Sequence, residues 1–113
     1  MKTIIAGTRN FNDYQFLKEK IDNLDINITE IVSGTARGAD ILGERYAREH
    51  NIPVKRFPAD WEKYGKGAGF IRNEQMGNYA DYLIAFWDSK SRGTFHMIEY
   101  MKKIGKHGTI YVY

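Results

Sequence analysis

The stretch Ile31-Val32-Ser33-Gly34-Thr35-Ala36-Arg37-Gly38-Ala39-Asp40 decides the fold. It begins with apolar β-branched residues, continues through a loop of small residues bounded by two glycines, and then takes on helical spacing. This order predicts a strand, a short loop and a helix in direct succession. Such a turn can hold an anion, because glycine allows close approach of the main chain and the helix start presents free N–H groups. A tight connection between strand and helix would by itself also explain both glycines. Similar loops elsewhere in the chain would favour the anion site instead.

The composition is that of an ordinary globular protein, with 42% hydrophobic and 27% charged residues in 113. This size predicts one domain spanning residues 1–113. The absence of cysteine excludes a disulfide framework, a thiol nucleophile and a thiolate metal site. Metal ligands are not clustered, and we expect neither a metal ion nor a cofactor. No apolar run reaches membrane-spanning or signal-peptide length, so we expect a cytoplasmic protein without a membrane partner.

The net charge is +3 and the pI is about 9.1. This charge suits an anionic ligand. Because the lysines are scattered along predicted helices, the excess is more typical of solvated helix faces than of a nucleic-acid footprint.

Apolar strand patterns alternate with helical patterns along the whole chain. The predicted strands are residues 2–6, 29–32, 52–57, 81–87 and 109–113, the predicted helices are residues 14–24, 39–50, 69–79 and 94–104, and residues 59–68 are predicted to be irregular. This alternation predicts parallel strands joined by right-handed crossovers, with helices on both faces. We therefore expect a Rossmann-like three-layer α/β sandwich with a mostly parallel sheet of about five strands, in which strand 81–87 is central.

The loops after the first four predicted strands are all rich in Gly, Ser, Thr, Arg and aromatic residues. They comprise residues 7–11, 33–40, 58–73 and 87–94. Ligands of open parallel sheets bind beyond the carboxyl ends of the strands, where the strand order reverses. We therefore expect these loops to meet in one pocket.

The residue types in these loops suit a nucleotide. Arginine pairs bidentately with phosphate, hydroxyl and glycine N–H groups donate to it, and aromatic rings can stack on a base. The candidates are Thr8, Arg9, Phe11, Ser33, Gly34, Arg37, Gly38, Trp61, Arg72, Trp87, Ser91, Arg92, Gly93 and Thr94. Simpler roles stay open for Thr94, as a helix cap, and for Trp87, as a core residue.

Catalytic groups are harder to recognise. Carboxylates able to act as a general acid or base are Asp40, Glu44, Asp60, Asp88 and Glu99. The first two share a helical face at a spacing of four, a pattern found on many solvated helices. The glycine-rich run 65–69 lacks the Gly-Lys-Ser/Thr ending of a P-loop, which argues against a magnesium-dependent NTPase.

The motifs at residues 7–11, 33–40 with 43–44, 57–61, 65–73 with 76, 85–88 and 91–94 together resemble those of the YspA-like, YpsA-related branch of the SLOG superfamily. That superfamily joins the DNA-processing Smf/DprA proteins to the LOG phosphoribohydrolases. The resemblance implies a Rossmannoid domain that binds nucleotides or nucleotide-derived molecules, and it adds Gly7, Asp40 and Asn73 to the candidate site. Because SLOG relatives often pair, it also implies a homo-oligomer, for which Tyr111, Tyr113 and the methionine-bearing last helix are candidate contacts.

One departure from the pattern concerns activity. The LOG hydrolases carry a Pro-Gly-Gly-x-Gly-Thr-x-x-Glu segment, whereas Met97 stands here where the catalytic Glu would be. Glu44 and Glu99 are the candidate substitutes. The sequence therefore favours binding of a ligand such as an ADP-ribose-like or cyclic nucleotide signal, by a sensor or sequestering module. N-glycosidic hydrolysis of nucleoside monophosphates or their derivatives and single-stranded nucleic-acid binding are the alternatives.

Overall fold

The computed structural model describes residues 1–113 and contains one five-stranded sheet of order β3-β2-β1-β4-β5, in which every neighbouring pair is parallel. The strands are β1 (Lys2–Gly7), β2 (Glu30–Ser33), β3 (Val54–Arg56), β4 (Tyr82–Trp87) and β5 (His107–Val112). The helices are α1 (Tyr14–Asp22), α2 (Ala39–Glu49), α3 (Trp61–Tyr64), α4 (Ala68–Tyr79) and α5 (Arg92–Lys103). The predicted Rossmann-like α/β sandwich is confirmed. The middle strand, however, is β1 rather than β4.

Side-chain alternation along the strands divides the core between the two faces of the sheet. In β1, Ile4 packs beneath α4 and α5, whereas Ile5 packs beneath α1 and α2. In β4, Leu83 and Ile84 divide in the same way. All four side chains are buried, because helices cover both faces of a parallel sheet and leave neither face in water.

The segment 59–68 is more ordered than its composition predicts. It contains α3 and a 3₁₀ turn at Gly65–Gly67. The Asp60 carboxylate accepts a hydrogen bond of 3.1 Å from the Lys63 N–H and thereby caps α3. The prediction of an irregular segment was wrong because this capping signal was overlooked.

The residues proposed as oligomer contacts are mostly committed to the core. Met97 and Met101 of α5 are buried beneath the sheet, and the Tyr111 ring stacks on Phe86. Among these candidates, Tyr113 is exposed. No helix combines the length and the apolar character that crossing a membrane requires.

The strand order reverses between β1 and β4. From β1 the chain moves through β2 to β3 at one edge, and it then returns to β4 and continues to β5 at the other edge. The loops that leave the carboxyl ends of β1 and β4 therefore diverge. A crevice opens between them, at the position where α/β sheets of this kind bind ligands.

Candidate functional site

A cleft of about 520 Å³ occupies this crevice. Its wall combines the loops after β1, β2 and β4 with the N-terminal halves of α4 and α5. The candidate residues that line it are Gly7, Thr8, Arg9, Asp40, Arg72, Asn73, Ser91, Gly93 and Thr94. Folding thus brings together residues that lie far apart in the chain.

A smaller groove of about 290 Å³ adjoins the cleft. The candidates Gly34, Arg37 and Trp61 line this groove, and the Trp61 side chain is exposed. The two spaces share Arg9, Ala36 and Arg72 in their walls. They therefore form one continuous surface, with an aromatic side chain at its outer end.

Two aromatic candidates pack elsewhere. The Phe11 ring is buried and stacks on Phe86, with ring centroids 5.1 Å apart. Trp87 packs against the core beneath α4 and α5, and its Nε1–H donates to the Ser91 carbonyl at 3.0 Å. Neither ring faces the cleft, because the apolar surroundings of each provide better packing than an open polar wall.

Ser33, Gly38 and Thr94 have structural partners that explain them locally. The Ser33 hydroxyl donates to Glu44 at 2.6 Å. A Cβ on Gly38 would lie 2.3 Å from the Thr8 carbonyl oxygen, and its φ of +81° favours glycine. Ser91, rather than Thr94, caps α5, since its hydroxyl accepts from the Thr94 N–H at 3.3 Å.

Both glutamates proposed as catalytic substitutes lie outside the cleft wall. Glu44 is buried behind β2, where it accepts hydrogen bonds from Ser33 and from the Arg56 Nε at 3.1 Å. Glu99 is exposed on α5 and pairs with Lys102 at 3.4 Å. The carboxylates that do line the cleft are Asp40 and Asp88.

Arg72 connects three parts of the site. Its guanidinium donates to the Gly34 carbonyl, and its Nε donates to the Asn73 side-chain oxygen at 3.1 Å. The Asn73 amide in turn donates to the Gly93 carbonyl at 3.1 Å. Burial lowers the pKa of Arg72, and the nearby Asp40 opposes this shift. The network holds a cation in a fixed orientation at the junction of cleft and groove.

Asp40 is the buried acid of the site, with an exposed fraction of 5%. Burial raises its pKa to about 6, although the Ala36 N–H and the positive charges of Arg72 and Arg9 oppose the shift. One carboxylate oxygen, Oδ2, accepts from the Ala36 N–H at 3.2 Å. The charge of Asp40 therefore changes close to neutral pH, inside a cleft that also contains cations.

The loop after β2 satisfies part of its own hydrogen-bonding capacity. The Thr35 N–H donates to the Ser33 hydroxyl at 3.1 Å, and the Ala36 N–H donates to Asp40. Thr35 also holds a φ of 63°, which is uncommon for a β-branched residue. The amide groups expected here to bind an anion are thus partly occupied.

The first turn of α5 offers the more accessible donor. The N–H of Gly93 has no protein acceptor, and Gly93 lines the cleft. Asp88 shapes the preceding loop, because its carboxylate accepts from the N–H groups of Lys90 and Ser91 at 2.8 Å each. These hydrogen bonds lower the pKa of Asp88.

Asn10, Asp88 and Lys90 also line the cleft but were not among the predicted ligand-binding residues. All three lie in or beside the loops whose composition was unusual, so their position at strand ends was the available signal. Lys90 adds a third cation to the wall besides Arg9 and Arg72. The structure contains no group of three or more His, Asp or Glu side chains placed to hold a metal ion.

Comparison with known proteins identifies the family of this chain. The family model of the YspA, cpYpsA-related SLOG family matches residues 1–64. Gene 61 protein of Mycobacterium phage D29 is 32% identical over 114 residues, which cover 92% of this chain and 90% of the phage protein. No solved structure matches the chain. The matched segment contains β1, β2, the loop that carries Arg9 and the first turn of α2 with Asp40, and the chain belongs to the YspA, cpYpsA-related SLOG family.

Proposed function

We propose that this protein binds a nucleotide or nucleotide-derived molecule in the cleft between β1 and β4 and acts as a sensor or sequestering module. One observation carries the proposal: Arg9, Arg72, Lys90 and Gly93, whose N–H has no acceptor in the protein, line the same cleft. Guanidinium groups and helix N-termini are the usual partners of phosphate oxygens. Membership of a SLOG family is consistent with such a ligand.

The dimensions of the site favour a ligand larger than phosphate. The phosphate would occupy the wall formed by Gly93 and Lys90. A base would stack on the exposed ring of Trp61 in the adjoining groove. Arg72 lies between the two positions because it lines both spaces. The ligand would thus occupy cleft and groove together.

Hydrolysis of the LOG type is not proposed, because Met97 lines the cleft at the position of the family's catalytic Glu and its two candidate substitutes, Glu44 and Glu99, lie outside the cleft wall. Nor do we extend the proposal to single-stranded nucleic acid. Trp61 is the exposed aromatic side chain of this surface, whereas sequence-tolerant strand binding uses successive stacking platforms along a basic groove.

Isothermal titration calorimetry with AMP, ADP, cyclic AMP, ADP-ribose and their guanine counterparts tests the proposal. We expect saturable binding of at least one compound, which chromatography then recovers unchanged. The Lys102→Ala variant is the control for nonspecific charge effects, because it loses one positive charge on the outer face of α5. It should bind as the wild type does. If no nucleotide binds at millimolar concentration, the proposal fails. Release of free base would show an enzyme instead of a binding module.

A further inference from the structure

Asp40 is a buried carboxylate in a cleft otherwise suited to anions, and that placement needs an explanation. An ionised carboxylate repels phosphate, so it lowers the affinity of the cleft for any ligand that is only an anion. Its burial is also unfavourable for the folded protein at neutral pH. Asp40 thus weakens anion binding and destabilises the fold. Its presence in the cleft is explained if it binds a part of the ligand other than the phosphate.

The two oxygens of Asp40 have different surroundings. Oδ2 accepts from the Ala36 N–H, while Oδ1 has no hydrogen-bond donor in the protein. The structure has no buried side-chain oxygen or nitrogen without a partner. Oδ1 must therefore keep contact with solvent, and the cleft is the space that Asp40 lines. The site thus presents an unpartnered acceptor to its ligand.

Asp40 lines the cleft next to the part of the wall that cleft and groove share. The Ala36 residue that it binds lines both the cleft and the groove, as does Arg72. Gly93 is in the cleft and Trp61 is in the groove. In a nucleotide the sugar lies between phosphate and base. A ligand with its phosphate at Gly93 and its base at Trp61 would therefore bring its sugar to Asp40.

We propose that Asp40 accepts a hydrogen bond from the ribose hydroxyls of the bound ligand, so that the site selects ribonucleotide-type molecules over their deoxy counterparts. This inference rests on the proposed function, since it assigns one part of the same ligand. A carboxylate is an acceptor, and a sugar hydroxyl is a donor that leaves the phosphate free for the cations. Sites that hydrogen-bond a hydroxyl discriminate strongly against the analogue that lacks it, because their polar group is then left unpaired.

The experiment compares AMP with 2′-deoxy-AMP and 3′-deoxy-AMP by calorimetry. The same comparison is made for GMP and its two deoxy forms. The wild type is expected to bind the ribonucleotide about tenfold or more tightly than at least one deoxy form. In Asp40→Asn the preference should fall to about twofold or less, because the charged acceptor is lost. The amide retains an oxygen for the Ala36 N–H. The wild-type comparison also tests the proposal without any variant.

Asp88→Asn is the matched control, since Asp88 is the other carboxylate of the cleft wall and its Oδ1 is held in the loop before α5 by the N–H groups of Lys90 and Ser91. Its sugar preference should equal that of the wild type, whatever the change in absolute affinity. IMP serves as a second control, because it differs from AMP only in the base. If the wild type prefers AMP over IMP and Asp40→Asn abolishes that preference, Asp40 binds the base and the proposal is overturned.

The role of Asp40 and the binding of nucleotides are tested separately. Equal affinity of the wild type for ribo and deoxy forms would overturn the role of Asp40 and leave nucleotide binding intact. A sugar preference that survives in Asp40→Asn would do the same. If none of these nucleotides binds and no compound of the wider calorimetric panel binds either, the proposed function and this inference both fall.

Discussion

The guanidinium of Arg72 donates a hydrogen bond to the backbone carbonyl of Gly34, which ties α4 to the loop after β2. The two residues are 38 positions apart in the chain, and both line the groove. This contact determines where the central cation lies relative to both the cleft and the groove.

Replacement of Arg72 by alanine should therefore weaken nucleotide binding more than the loss of one surface charge would. We expect the affinity for the tightest-binding nucleotide of the panel to fall about tenfold or more, because a charge-assisted and pre-oriented donor disappears. Arg92→Ala is the control, since Arg92 directly precedes Gly93 in the chain but does not line the cleft. Calorimetry of both variants decides the matter. An equal effect of the two substitutions would mean that overall charge, and not the position of Arg72, governs affinity.

A side chain at Gly34 should damage binding with little effect on stability. A Cβ there would lie 2.7 Å from Asp40 Oδ2 and 2.8 Å from an Arg72 guanidinium nitrogen. Both atoms are ends of side chains and can shift, so we expect Gly34→Ala to lose less than about 1 kcal/mol of unfolding free energy. The same shift displaces two groups of the site, and affinity should fall at least severalfold. Gly67→Ala, whose Cβ would meet open space, should bind normally. Denaturant titration and calorimetry give the two quantities, and unchanged affinity of Gly34→Ala would contradict the prediction.

The buried Asp40 should make stability depend on pH. Burial raises its pKa from 3.8 to about 6, so the folded state favours the neutral form and stability is lost as the pH rises through 6. The charged groups around it are Arg72 on α4, Arg9 after β1, and Glu44 on its own helix. Asp40→Asn carries no charge at any pH. We expect it to be more stable than the wild type by up to about 3 kcal/mol at pH 8, with little difference near pH 4.

Denaturant unfolding of both proteins across this pH range measures the difference. An advantage of Asp40→Asn that is constant with pH would show that the ionisation of Asp40 is not its cause.

The two glutamates considered for catalysis should separate in their effect on stability. Glu44 is buried and accepts from Ser33 and Arg56, so Glu44→Ala leaves a buried hydroxyl without its acceptor. We expect a loss of about 1–3 kcal/mol in unfolding free energy. Glu99 is exposed, and Glu99→Ala should remain within about 0.5 kcal/mol of the wild type. Thermal and denaturant unfolding test both. A stable Glu44→Ala variant would indicate that this carboxylate is retained for some purpose other than folding.

Much of the site could be predicted from the sequence because parallel strands impose a simple rule. Loops after successive strands emerge at the same edge of the sheet, so Thr8, Arg9, Ser91 and Gly93 could be placed together from their positions alone. Aromatic residues obey no such rule. Phe11 and Trp61 both follow strands, but one is buried against Phe86 and the other is exposed. The difference depends on which surfaces lie nearby after folding.

The sequence by itself determined the α/β alternation, the parallel sheet, the family and the edge at which the site lies, because each follows from residue periodicity or from local motifs. Only the tertiary structure decided which donors are free. The amides of Thr35 and Ala36 are occupied by the side chains of Ser33 and Asp40 at the two ends of their loop, whereas the N–H of Gly93 has no acceptor in the protein. In the folded protein Glu44 is buried away from the cleft, whereas Asp40 lines it. Hydrogen bonding and burial depend on distances in space between segments remote in the chain, and those distances exist only after the sheet has assembled.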